Sequence, residues 1–243
     1  MLSDTDFLKR IVEIIEEGWR ETEDFSIAAQ SEYLPVVVKP EYLATVKIAE
    51  KFKTKILDSE HRPDYSLLLE ASTEKVFTDC FSSKVIMRRN QSGGFRIVGR
   101  GRQNSTIRNG KFDIAIFRSN YYRDYLRSYC VIEVKNQESS FRRIKNDIER
   151  IEEILSKRVD EMESSLKYGI LTFSRNLTKK FKPTSTTESN QAELLQKDKT
   201  KVIKKLIAFS HVVEQSSLIS YPNDAEEYYL GYLFAIYTII MKP

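Results

Sequence analysis

The chain has 243 residues, 41% of them hydrophobic and 30% charged, which suits one large domain, or a medium one with additions, built on a real core. Its formal charge of +4 is too small by itself to argue for a polyanionic partner, and two histidines, His61 and His211, are too few for a zinc site or a histidine-based catalytic centre. The two cysteines, Cys80 and Cys130, lack metal-ligand spacing and sit in apolar contexts, so they are expected to be reduced and buried in an intracellular protein.

Charge is segregated along the chain. Residues 1–32 hold nine acids against Lys9, Arg10 and Arg20. Between Asp79 and Asp113 there is no acid but there are eight bases, Lys84, Arg88, Arg89, Arg96, Arg100, Arg102, Arg108 and Lys111. A second basic stretch, 175–205, carries nine Lys/Arg against three acids. Such asymmetry marks a side that faces a polyanion better than the net value does.

In chain order, Phe7, Ile11, Ile14, Ile15 and Trp19 form a helical stripe with Ser3 or Asp4 as cap. A second helix begins at Pro40, a residue favoured at the first helical position, and lines up Leu43, Val46, Ala49, Phe52 and Ile56. Residues 65–81 read as a strand followed by a short helix. "KVIMRRN" and "FRIVGR" flank "QSGG" as a hairpin. Residues 110–118 and 128–137 are two strands with buried faces, joined by a loop that holds Tyr121, Tyr122 and Tyr125, tyrosines expected to pack on the sheet edge.

A helix follows, with Phe141, Ile144, Ile148, Ile151 and Leu155 stacked at spacings of three and four, and then a strand over 167–174. Strand, helix, strand is a crossover that normally makes parallel neighbours. Residues 182–191 read as a polar loop, and "TKVIKKLIAFSHVVEQ" as a further helix. The apolar end, 228–241, is a buried helix or strand, too short at 14 residues for the ~20 that span a bilayer. With no signal pattern at the N-terminus, a soluble cytoplasmic protein without membrane contact is expected.

"YCVIEVKNQ" carries the chemistry. Glu133 and Lys135 stand two apart, so in a strand both point to one face. Asp113 lies near the start of the strand before. Adjacent strands would bring the two carboxylates to a shared edge, where they suit a hard divalent cation with oxygen ligands. A lysine beside them would orient a bound water or neutralise charge on a phosphate.

Asp113, then "IEVK" at 132–135, then a basic amphipathic helix and another strand resemble the PD-(D/E)XK nuclease superfamily. The resemblance covers residues 40–175 and departs from the pattern at Phe112, where the motif has proline. It implies an α/β restriction-endonuclease-like fold with an αβββαβ core and a mixed central sheet flanked by helices. Residues 1–39 would be a helical addition and residues 176–243 an extension packed on the core. It also implies a nuclease that cuts nucleic acid, double-stranded DNA in particular, with Mg2+ or with Mn2+ in its place, and a homodimer.

In that resemblance Asp113 and Glu133 are the metal-binding acids and Lys135 the catalytic lysine. A further catalytic acid comes from a helix before the sheet. Glu41, Glu70 and Glu74 compete for that place, with Glu41 preferred. Nucleic acid would meet Arg88, Arg89, Arg96, Arg100, Arg102, Arg108 and Lys111 on the basic segment, and Gln137 beside the lysine. The rival expectation is a nuclease-fold subunit that binds or assembles without turnover.

Overall fold

The computed structural model describes residues 3–31, 39–58, 65–80, 87–89, 95–97, 110–120, 123–136, 140–156, 158–159, 162–177, 188–206, 215–220 and 233–243. Helix α1 (Asp4–Ser31) starts at Ser3, whose Oγ accepts the Asp6 N–H at 3.1 Å and donates to the Asp6 carboxylate at 2.6 Å, a reciprocal cap. Its predicted stripe of Phe7, Ile11, Ile14, Ile15 and Trp19 is fully buried, and the Trp19 indole N–H donates to Thr172 Oγ1 at 3.0 Å. Helix α2 (Pro40–Phe52) begins on Pro40 as expected and ends in one π-helical turn, Lys53–Leu57. The two helices touch where Gly18 faces Ile48. A Cβ on Gly18 would lie 2.9 Å from the Ile48 backbone nitrogen, so only glycine lets them approach this closely.

Residues 65–80 divide as predicted into strand β1 (Tyr65–Ser72) and helix α3 (Thr73–Cys80). Strands β2 (Met87–Arg89) and β3 (Phe95–Ile97) form the hairpin, with Arg88 opposite Arg96. Strands β4 (Lys111–Asn120) and β5 (Arg123–Lys135) pair antiparallel over a longer ribbon than the sequence suggested. Tyr125 therefore belongs to β5 and not to a loop; Tyr121 and Tyr122 lie outside the described residues. Pairing between neighbouring strands extends the ladder past the apolar run that flags each strand locally.

Helix α4 (Phe141–Ser156) is followed by the short strands β6 (Arg158–Val159) and β7 (Met162–Glu163) and then by β8 (Tyr168–Asn176). β8 runs parallel to β5, from Cys130 opposite Tyr168 to Lys135 opposite Phe173, as the crossover required. Near the C-terminus the sequence reading needs correction. Helix α5 spans Glu188–Leu206, so it starts inside the stretch read as a polar loop, and Gln215 opens strand β9 (Gln215–Ser220) where a helix was expected to end. Strand β10 (Leu233–Met241) is the apolar terminal element, and it pairs antiparallel with both β8 and β9.

The result is an α/β arrangement: a six-stranded mixed sheet in the order β1, β4, β5, β8, β10, β9, with helices on both faces. One core joins α1 and α2 to Ile114, Ile116, Ile132, Val134 and Ile170. The other joins α3, α4 and α5 to Ala115, Val131, Leu171, Phe173 and Tyr237. This alternation follows from the two-residue period of a strand. Cys80 and Cys130 are free and buried, and burial pushes the Cys80 thiol up to about 11 and the Cys130 thiol higher still, so neither is a ready nucleophile. Among the described residues no helix is long and apolar enough to cross a membrane.

Candidate active site at the end of strand β5

The run Val131, Ile132, Glu133, Val134 is β-branched apart from Glu133, which suits a central strand covered on both faces. Ile132 and Val134 go to the α1/α2 core and Val131 to the α4 core. Glu133 and Lys135 share the side of Val131 and so face α4. Glu133 is only 1% exposed. A carboxylate so far from water must be paired. Both of its oxygens are: Oε2 takes the Lys135 ammonium at 3.1 Å, and Oε1 takes the Arg150 guanidinium from α4.

The β4/β5 register ends with Ile114 opposite Ile132, and the next residue of β4 is Asp113. Its side chain takes over where the ladder stops, Oδ2 accepting the Val134 N–H at 2.7 Å. Asp113 Oδ2 is also 3.9 Å from Lys135 Nζ, while Oδ1 has no hydrogen bond among the described residues. Burial raises the Asp113 carboxyl above its ordinary range, against the opposing pull of the Val134 N–H, Lys135 and Arg150.

Two more carboxylates meet the same ammonium. Glu41, in the first turn of α2 on the opposite face of the sheet, lies 3.6 Å from Lys135 Nζ, and Asp147 of α4 lies 3.5 Å away. Burial raises Asp147 as well, with Lys135 opposing. Glu41, Lys135 and Asp147, together with Arg143 and Asn146, line a cleft of about 250 Å³. Four carboxylates thus converge on one lysine from strands β4 and β5 and from helices on both faces.

The structure brings Asp113, Glu133, Lys135 and Glu41 together. Of the two competing acids, Glu70 pairs instead with Lys111 at 2.8 Å on the surface, its backbone turned to φ 50°, and Glu74 sits in the first turn of α3. Arg88, Arg89 and Arg96 lie on the β2/β3 hairpin; Arg100, Arg102, Arg108 and Gln137 lie outside the described residues, as do both histidines.

Sequence reasoning missed Asp147 and Arg150. Arg150 Nη2 is 3.1 Å from Asp147 Oδ1, and its guanidinium stands over the Phe112 ring, 4.8 Å from the centroid. A helical-wheel signal for them existed: at i and i+3 they flank Ile144, Ile148 and Ile151, the face that α4 buries.

Whether this donor set fits a hard divalent cation depends on its chemistry. Among the described residues every candidate ligand is a carboxylate oxygen and four acids face two cations, a donor set whose chemistry suits Mg2+. Among the described residues, however, no three acidic, histidine or cysteine side chains already stand as a ligand group. No family model matches the chain, and neither a curated protein nor a solved structure matches it.

Proposed function

We propose that the protein is a divalent-metal-dependent nuclease that hydrolyses phosphodiester bonds, with DNA as its substrate. The observation that carries this is the meeting of Asp113, Glu133, Glu41 and Lys135 at the end of one buried strand. A cluster that combines excess acid with a lysine, beside an open cleft, has more charge than packing needs. The succession α2, β1, β4, β5, α4, β8, with α3 and the β2/β3 hairpin inserted after β1, the short β6 and β7 after α4, and β5 parallel to β8, supports this reading.

In this reading Asp113 and Glu133 would hold the Mg2+, which Mn2+ can replace, and the ion would supply Lewis-acid stabilisation of charge on the phosphate. Lys135, held by its four acidic neighbours, orients the attacking water and offsets negative charge at the phosphorus. Glu41 fixes the ammonium from the far face. The arginines of the hairpin would meet the phosphate backbone, a contact that positions a duplex without reading its sequence.

Glu133 has both oxygens on cations, and that observation favours the rival, a nuclease-fold module that binds nucleic acid without cutting it. Cleavage of plasmid and labelled oligonucleotides with Mg2+ or Mn2+ decides between them. Metal-dependent cutting that disappears in folded Glu133→Ala and Lys135→Ala supports the nuclease. Binding without cutting by the wild type supports the module.

A further inference from the structure

We propose that Arg150 is a positioning residue of this site, fixing Glu133 and Asp147 for the reaction; the proposal rests on the nuclease reading above. Three neighbours hold the end of the Arg150 side chain. Its guanidinium joins Glu133 of β5 to Asp147 of its own helix and lies over Phe112 at the start of β4. Gly110, just before β4, makes room for it, since a Cβ there would collide with Arg150 Nη1. Gly110 is itself anchored by its carbonyl, which accepts the Thr73 N–H at 2.9 Å.

Only one of the two cations on Glu133 can set its angle. Lys135 is a point charge on a flexible stem, shared among four carboxylates. Arginine presents a planar fork whose direction fixes the carboxylate it binds. Because Arg150 is 12% exposed and points at two acids, its contribution passes through those acids and not through contact with substrate. Displacing a catalytic group by about 1 Å can cost on the order of 10²-fold in rate, so a support of this kind shows in turnover.

The test compares wild type with Arg150→Met, Arg150→Lys and Gly110→Ala, each checked for folding by circular dichroism and thermal melting. Mg2+-dependent cleavage gives kcat and KM, and a labelled duplex in Ca2+ gives affinity. Arg150→Met is expected to lower kcat about 10- to 100-fold, the usual range for a residue that orients a ligand, with KM and duplex affinity unchanged. Arg150→Lys should recover part of that loss. Gly110→Ala, which pushes the guanidinium aside without removing it, should lower kcat several-fold. If Arg150→Met does not fold, the other two variants carry the test.

Wild-type turnover in the folded variants overturns the positioning role while leaving the nuclease standing. An equal fall in duplex affinity and turnover also overturns it, because Arg150 would then touch substrate. Absence of cleavage by the folded wild type overturns the nuclease and this role together.

Discussion

Two networks of buried charge sit under the same face of the sheet and are built to opposite rules. At Asp198, 3% exposed on α5, one carboxylate receives the Tyr237 hydroxyl at 2.9 Å and the Arg175 guanidinium at 3.3 Å. One guanidinium offsets one carboxylate, and the Tyr237 hydroxyl is driven far above its usual range by burial and by that acid. At Lys135, by contrast, four carboxylates crowd one ammonium. The first arrangement satisfies what folding has buried. The second leaves negative charge over, which costs stability and is kept where a site needs it.

Substitutions at the acid-rich network are expected to have the largest effect, and on activity. Lys135→Ala should lower cleavage on the order of 10³-fold, within the range lost with a proton-transfer or charge-offsetting group. A Lys135→Ala protein that cuts normally would make the two networks equivalent and would leave the nuclease without its lysine.

At the balanced network the effect should fall on stability. Asp198→Ala strands the Arg175 charge and the Tyr237 hydroxyl and is expected to cost about 3 kcal/mol in urea unfolding, with cleavage unchanged. Loss of cleavage at unchanged stability would place Asp198 in the site.

Glu23 shows a third solution and sharpens the contrast. It is 3% exposed on α1, and burial, aided by the charge of Asp24, raises its carboxyl from 4.5 to about 7. The nearby Ser174 hydroxyl opposes the rise, but Ser174 Oγ has no partner within hydrogen-bonding geometry, so this opposition is weak. Here the acid is relieved by a proton and not by a cation. The unfolded chain gives up that proton near pH 4.5 while the folded chain keeps it to about pH 7, so stability falls as pH rises across this window. Glu23→Gln should therefore stabilise the protein at pH 8, by at most about 3 kcal/mol, and do nothing at pH 4. Equal melting curves at both pH values would show that Glu23 is not relieved in this way.

The smallest effect belongs to the exposed pair Lys111–Glu70. Lys111→Ala should leave stability in urea unfolding essentially unchanged, since solvent screens an exposed pair. If Lys111 meets a phosphate, the same variant reduces the salt dependence of duplex binding by about one unit of slope. An unchanged slope removes Lys111 from the nucleic-acid face.

Legibility in the sequence followed the range of the forces involved. Asp113, Glu133 and Lys135 were readable because strand alternation and neighbour pairing place them together with little else to know. Glu41 was one of three acids that local sequence could not separate; the packing of α2 against the sheet brings it, and neither Glu70 nor Glu74, within 4 Å of Lys135 among the described contacts. Asp147 and Arg150 do not stand out in the sequence because α4 is rich in both signs, and only docking onto Glu133 shows which of its charges turn inward. The error at α5 and β9 has the same origin. Gln215–Ser220 is a strand because β10 offers it an edge, and a helical stripe that ends at Val202 and Leu206 carries no sign of that partner.

The parallel crossover from β5 through α4 to β8 also sets how the site comes into being. Glu133, Lys135, Asp147 and Arg150 fall within 18 consecutive positions, and Asp113 is 20 before Glu133. These five meet as soon as a strand pair and one helix close, which is a modest loss of chain entropy. Glu41 must return from 72 positions before Asp113 and 94 before Lys135, on a separate helical layer. Opening of α1 and α2 alone would withdraw one acid and leave the other five side chains in place, so amide exchange in α2 should track the availability of Glu41 and not the integrity of the sheet.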